Sequence, residues 1–151
     1  MRYSILAAAL LATMPALALA QAPAVKVEQA WTRADAHVGG NGAVYLTLTA
    51  QREPDRLIGA DTPQAGMAML HQTTTEGGVT RMREVEGVAL PAGHAVTLRP
   101  GGTHIMLMDI KQKLKPGDSF PLSLAFEKAP TASVTVSVLK PGARGPAAGQ
   151  P

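Results

Sequence analysis

Beyond residue 20 the chain has no long apolar stretch with a 3.6-residue period, and clusters of turn-forming residues interrupt it about every eight to twelve residues. The short segments between them alternate in the manner of strands, most clearly Ala43-Val44-Tyr45-Leu46-Thr47-Leu48-Thr49, Phe120–Phe126 and Ser133–Val138. These two features exclude a helical bundle and predict an all-β sandwich or barrel. With 46% hydrophobic but only 3% aromatic residues in 151, one domain must fill its core with aliphatic side chains.

The first twenty residues hold one basic residue, Arg2, then an apolar run from Ile5 through Leu17 that closes on Ala18-Leu19-Ala20. This pattern predicts a cleavable secretory leader at 1–20, a β domain at 21–140 and a Gly/Pro/Ala-rich, disordered tail at 141–151. The apolar run is too short to span a bilayer and no second one follows, so a soluble exported domain without membrane insertion is expected. Loss of Arg2 lowers the formal charge from +3 to +2, which argues against nucleic-acid binding. The sequence has no cysteine, which excludes disulfides, a thiol nucleophile, a lipid-accepting thiol and every metal centre that needs thiolate.

Val25-x-Val27 opens the first strand, which continues toward Ala30 and Trp31. Asp35–Gly42 is a loop, Arg56–Ala60 a strand and Asp61–Gly66 a break. Met67–His71 is predicted as a strand with Met67, Met69 and His71 on one face. Val79–Val85 returns with Met82, Ala95–Leu98 follows Pro91-Ala92-Gly93, and Pro100-Gly101-Gly102 leads into His104-Ile105-Met106-Leu107-Met108. On that last strand Ile105 and Leu107 turn to the core, leaving His104, Met106 and Met108 on the other side.

Two His-Met pairs therefore stand on strand faces. A hairpin closed by Thr75-Glu76-Gly77-Gly78 sets His71 directly opposite Met82, whereas a turn of Gly77-Gly78 alone makes the pair diagonal. The face is shared in either register. Imidazole and thioether are intermediate and soft donors, a set suited to copper, above all Cu(I). His71, Met82, His104 and Met106 are the candidate metal ligands. Met67 and Met69 are expected to pack or sit at the rim, with auxiliary metal contact as the alternative. Met108 shares the face of Met106 but stands one pair further from His104, and its entry into the coordination sphere stays open. His37 and His94 are expected to be solvated, with copper contact the minor alternative.

The run His71, ten residues, Met82, twenty-one residues, His104-Ile105-Met106 matches the H-x10-M-x21-H-x-M pattern and resembles the periplasmic copper chaperones of the PCuAC family. The similarity extends from Ala30-Trp31 through Ala43–Leu48, Pro54–Ala60, Pro100–Met108 and Leu122–Glu127, nearly the whole mature domain. Methionines at 67 and 69 depart from the family, and the tail lacks the His and Met residues some relatives carry there. The resemblance implies a cupredoxin-like β-barrel or sandwich and a periplasmic, monomeric protein that is not an enzyme. It further implies delivery of Cu(I) to the copper centre of cytochrome c oxidase, with thioredoxin-like copper assembly proteins as collaborators. A copper-sequestering or resistance protein would use the same ligands, and a metal-free exported β domain for protein contact would leave all four dispensable. A histidine-brace oxygenase needs an N-terminal histidine, whereas cleavage after Ala20 exposes Gln21.

Overall fold

The computed structural model describes residues 22–147, so the leader expected at 1–20 and positions 148–151 of the tail lie outside the described residues. Ten strands follow one another: β1 (Val25–Arg33), β2 (Gly42–Ala50), β3 (Asp55–Asp61), β4 (Ala65–Glu76), β5 (Val79–Glu84), β6 (Val88–Leu90), β7 (Ala95–Leu98), β8 (Thr103–Ile110), β9 (Ser119–Phe126) and β10 (Ala132–Leu139). They hydrogen-bond in the order β5-β4-β8-β2-β1-β10-β9-β3-β6, with β7 joined to the second half of β2. Among these pairs β1–β10 is parallel and the others antiparallel. β3 touches β4 although the two stand near opposite ends of this order, so the sheet closes over itself into a sandwich.

The interior is mainly aliphatic, as the scarcity of aromatic residues requires, with Phe120 and Phe126 as its aromatic members. Leu46, Leu48, Leu57, Ile105, Leu107, Leu122, Leu124 and Val136 are fully buried. On β8 the alternation holds, with Ile105 and Leu107 in the core and His104, Met106 and Met108 on the opposite face.

Two local features aim side chains at that opposite face. Gly77 and Gly78 have φ of 56° and 79°, the positive pair a two-residue type I′ turn demands, and they alone connect β4 to β5. A register shift between Glu28 and Trp31, with Gln29 at φ 53°, is a bulge in β1. Because a one-residue slip exchanges the two faces, Trp31 leaves the set of Val25 and Val27 and joins Tyr45 on the opposite face, where both rings are buried.

Asp55 pins the start of β3 to the segment that follows β9. Its Oδ1 accepts from the backbone N–H of Arg56 (2.7 Å) and Lys128 (3.0 Å), and its Oδ2 from that of Ala129 (2.9 Å). Partial burial pushes this carboxyl upward, but the three N–H donors and the Lys128 ammonium outweigh it and hold Asp55 below the usual carboxylate range. A folded value below the unfolded one gives stabilisation that is complete above about pH 4 and lost as pH falls through the folded value. Asp55→Asn is expected to cost about 1–3 kcal/mol at pH 7, with the deficit shrinking at pH 3. Urea unfolding at both pH values checks this, and an equal deficit at both would remove the charge from the explanation.

Within the tail, residues 141–147 are described. Arg33 Nε donates to the Ala143 carbonyl at 2.7 Å, and the Ala143 N–H donates to that of Lys140 at 3.1 Å.

Candidate metal centre

The site is built on three adjacent strands, β5, β4 and β8. β4 and β8 pair so that His71 stands directly opposite His104, Met69 opposite Met106 and Met67 opposite Met108. On the other side of β4 the register sets His71 opposite Glu84 and Thr73 opposite Met82. The directly opposed His71–Met82 hairpin is thus replaced by the diagonal one, because the positive φ values confine the turn to Gly77-Gly78. Diagonal cross-strand neighbours are about 7–8 Å apart, which the three rotatable bonds of methionine can span. His71, Met82, His104 and Met106 consequently share one face.

The two imidazoles meet at 6.0 Å between ring centroids, their planes inclined by 63°. An ion holding two imidazole nitrogens at about 2.0–2.1 Å brings the centroids to roughly 5–6.5 Å, depending on the angle at the metal. His104 Nδ1 lies 3.0 Å from the Gly102 carbonyl, and because a carbonyl only accepts, Nδ1 carries the proton and Nε2 keeps its lone pair. Such a backbone bond fixes both tautomer and ring orientation, as in metal-binding histidines generally. His71 Nδ1 is the buried side-chain nitrogen that finds no hydrogen-bond partner among the described residues. An unpaired buried polar atom costs about 1–3 kcal/mol, a cost a bound ion would offset.

Exposure is graded across the face. His104 is 4% exposed, His71 and Met106 are half-buried, and Met82, on the edge strand β5, is 53% exposed. Beyond His104 the face continues into aromatic side chains, with Tyr45 at 6.4 Å from the His104 ring and Trp31 at 4.7 Å from Tyr45. The Arg33 guanidinium lies 5.8 and 5.9 Å from those two ring centres. Burial, more than the Arg33 charge opposes it, raises the Tyr45 phenol above its ordinary value and keeps it neutral. A cleft of about 420 Å³ opens beside Met106, lined also by Arg33, Asp35, Asn41, Ala43 and Tyr45. Nothing local to Trp31 in the sequence reports the bulge that sets it beside Tyr45.

His37 and His94 are exposed, and His94 bonds only its own loop, with Nδ1 2.9 Å from the Ala92 carbonyl. Among the described residues no group of three or more His, Cys, Asp or Glu side chains is placed to hold a metal ion, so a carboxylate cage for a hard cation is not formed there. The donors this face offers are soft or intermediate, with the imidazoles of His71 and His104 flanked by the thioethers of Met82 and Met106 and, further along β4 and β8, by those of Met67, Met69 and Met108.

Residues 25–138 match the family described as LpqE-like, "Putative lipoprotein LpqE-like". The chain is 35% identical over 119 residues to "Putative lipoprotein Lxx21020" of Leifsonia xyli subsp. xyli, spanning 78% of this chain and 71% of that protein. In three dimensions it is similar to the copper-bound PCuAC domain from PmoF2, with 27% identity, a TM-score of 0.67 and coverage of 80% of this chain and 97% of that one. It is also similar to CuI-DR1885 from Deinococcus radiodurans, with 37% identity, a TM-score of 0.65 and coverage of 82% and 83%. The common architecture is the cupredoxin-like sandwich. Although the family description names lipoproteins, this sequence has no cysteine to accept a thioether-linked lipid. Among the described residues no helix is long and apolar enough to cross a membrane.

Proposed function

We propose, from the premise that the chain belongs to the LpqE-like family of PCuAC-type copper chaperones, that it carries Cu(I) on His71, Met82, His104 and Met106 in the periplasm and delivers it to the copper centre of cytochrome c oxidase. The observation that carries this reading is the direct His71–His104 pair, with one imidazole oriented by a backbone carbonyl and the other left with an unpaired buried nitrogen. Two neutral imidazoles and two neutral thioethers favour the monovalent ion, whose filled d shell accepts a near-tetrahedral arrangement. Copper is cargo here, and no organic substrate is turned over.

The gradient of exposure suits release. An acceptor can displace Met82 first, from the outermost strand, and then the half-buried donors, while His104 remains fixed by Gly102. Delivery by stepwise ligand exchange needs such an accessible end. Thioredoxin-like assembly proteins are the collaborators this role would involve.

An anaerobic competition titration of the purified protein against a chromophoric Cu(I) chelator tests the site. One tight equivalent is expected, weakened at least about 100-fold in His71→Ala, and absence of competition would reject the copper reading. Storage and delivery separate in a second step, in which the loaded protein is mixed with the apo copper-bearing domain of the oxidase. Transfer on mixing supports delivery, and retention supports sequestration.

A further inference from the structure

Seven methionines occur in the sequence, two of them at positions 1 and 14; the other five, Met67, Met69, Met82, Met106 and Met108, all lie on the single face formed by β5, β4 and β8. None of the five belongs to the hydrophobic core or to the half-buried side chains packed on it. Methionine used as filler goes to irregular gaps in the core, and here it does the opposite. Met67 is 54% exposed. The residue facing Met106 on β2 is Ala43, too small to cover the row from that side.

Met67–Met108, Met69–Met106 and His71–His104 form three successive rungs across β4 and β8. Same-face residues along a strand are about 6.6–6.8 Å apart, so the Met67–Met108 rung stands roughly 13 Å from the histidines. One ion cannot be held by both end rungs. Directly opposed Cβ atoms, by contrast, are about 4.5–5.5 Å apart, near enough for two flexible thioethers to converge on a common ion. Met69 projects on the same face one step away and is not used by the His-Met set.

We propose that Met67, Met69 and Met108 form a second Cu(I) site, made of thioethers only, beside the His-Met site, with Met106 on the rung between them. The inference shares with the proposed function its choice of cargo, but no ligand. Three neutral soft donors hold Cu(I) and leave Cu(II) and Zn(II), which prefer imidazole or harder ligands, unbound. Lacking imidazole, the second site is the weaker of the two, and an ion captured there moves to the histidines by exchanging thioethers through Met106, without change of oxidation state. The row serves as a loading position that is selective for the reduced ion.

The test is an anaerobic titration of the whole protein, carrying ¹³C-methyl methionine, first with Cu(I) and then with redox-inert Ag(I). Two equivalents are expected, the second at least tenfold weaker. Methyl signals of Met82 and Met106 should move in the first step and those of Met67, Met69 and Met108 in the second. In Met67→Leu/Met108→Leu the second equivalent should vanish while the first keeps its affinity within twofold. Binding of a single equivalent by the unaltered protein, or a second equivalent that survives in this variant, would overturn the proposal. His71→Ala/Met82→Leu separates it from the reading above, because loss of the tight step with the weak step retained supports the thioether site, and loss of both overturns its independence.

Discussion

Leucine at both Met82 and Met106 is expected to lower Cu(I) affinity by about 100-fold or more, roughly 2.7 kcal/mol, and Cu(II) affinity by less than about tenfold. Leucine nearly conserves the volume of methionine, and such exchanges cost little even in cores. Met82 lies exposed on edge strand β5, and Met106 is half-buried between Met69 and Ala43, so neither change empties the interior. The imidazoles of His71 and His104 remain in place, with the Gly102 carbonyl still fixing the second. Imidazole serves both oxidation states, whereas thioether is a good ligand only for the soft monovalent ion. Parallel competition titrations with chelators specific to each state read the difference, and equal losses would show that the thioethers do not set the preference for Cu(I).

The face that carries these candidate ligands is legible in part because strand alternation is local. Ile105 and Leu107 reach 0% exposure, and the His104-Met106-Met108 side follows necessarily from them. The hairpin register was open between two turns for want of backbone angles, and the positive φ of both Gly77 and Gly78 decides it, bringing Glu84 opposite His71. The pairing of β4 with β8 joins His71 to His104 across thirty-three positions of sequence, and no short-range pattern specifies such a partner; only the spacing shared with a family pointed to it. The place of Trp31 and Tyr45 beside the site is not legible in the sequence, because a bulge at Gln29, which carries no distinctive composition, reverses the parity of β1. β6 leaves no signal in the sequence because three residues, Val88–Leu90, are too few to show alternation, though Leu90 is buried.

Stability and copper binding should separate cleanly on β8. Ile105→Ala is expected to cost about 3–4 kcal/mol, because the side chain is fully buried and its removal adds a cavity to the lost transfer energy. In a domain of this size that is a fall in Tm of roughly 10–15 °C. Its Cβ points away from His104 and Met106, so the copper-induced rise in Tm should persist, about 2.7 kcal/mol of added stability when free Cu(I) is 100-fold above Kd. His71→Ala should do the reverse. The half-buried ring gives up some packing, but removal of an unpaired buried nitrogen returns about 1–3 kcal/mol, so the metal-free Tm changes little while the copper-induced rise disappears. Differential scanning calorimetry of both variants with and without Cu(I) reads all four quantities. If Ile105→Ala also abolished the copper-induced rise, the two faces of β8 would be mechanically coupled, and the stiff scaffold that positions His104 and Met106 would have to be counted among the determinants of binding. If His71→Ala destabilised the metal-free protein by several kcal/mol, His71 would be a packing residue first, and the strain relieved by copper would not lie at its Nδ1.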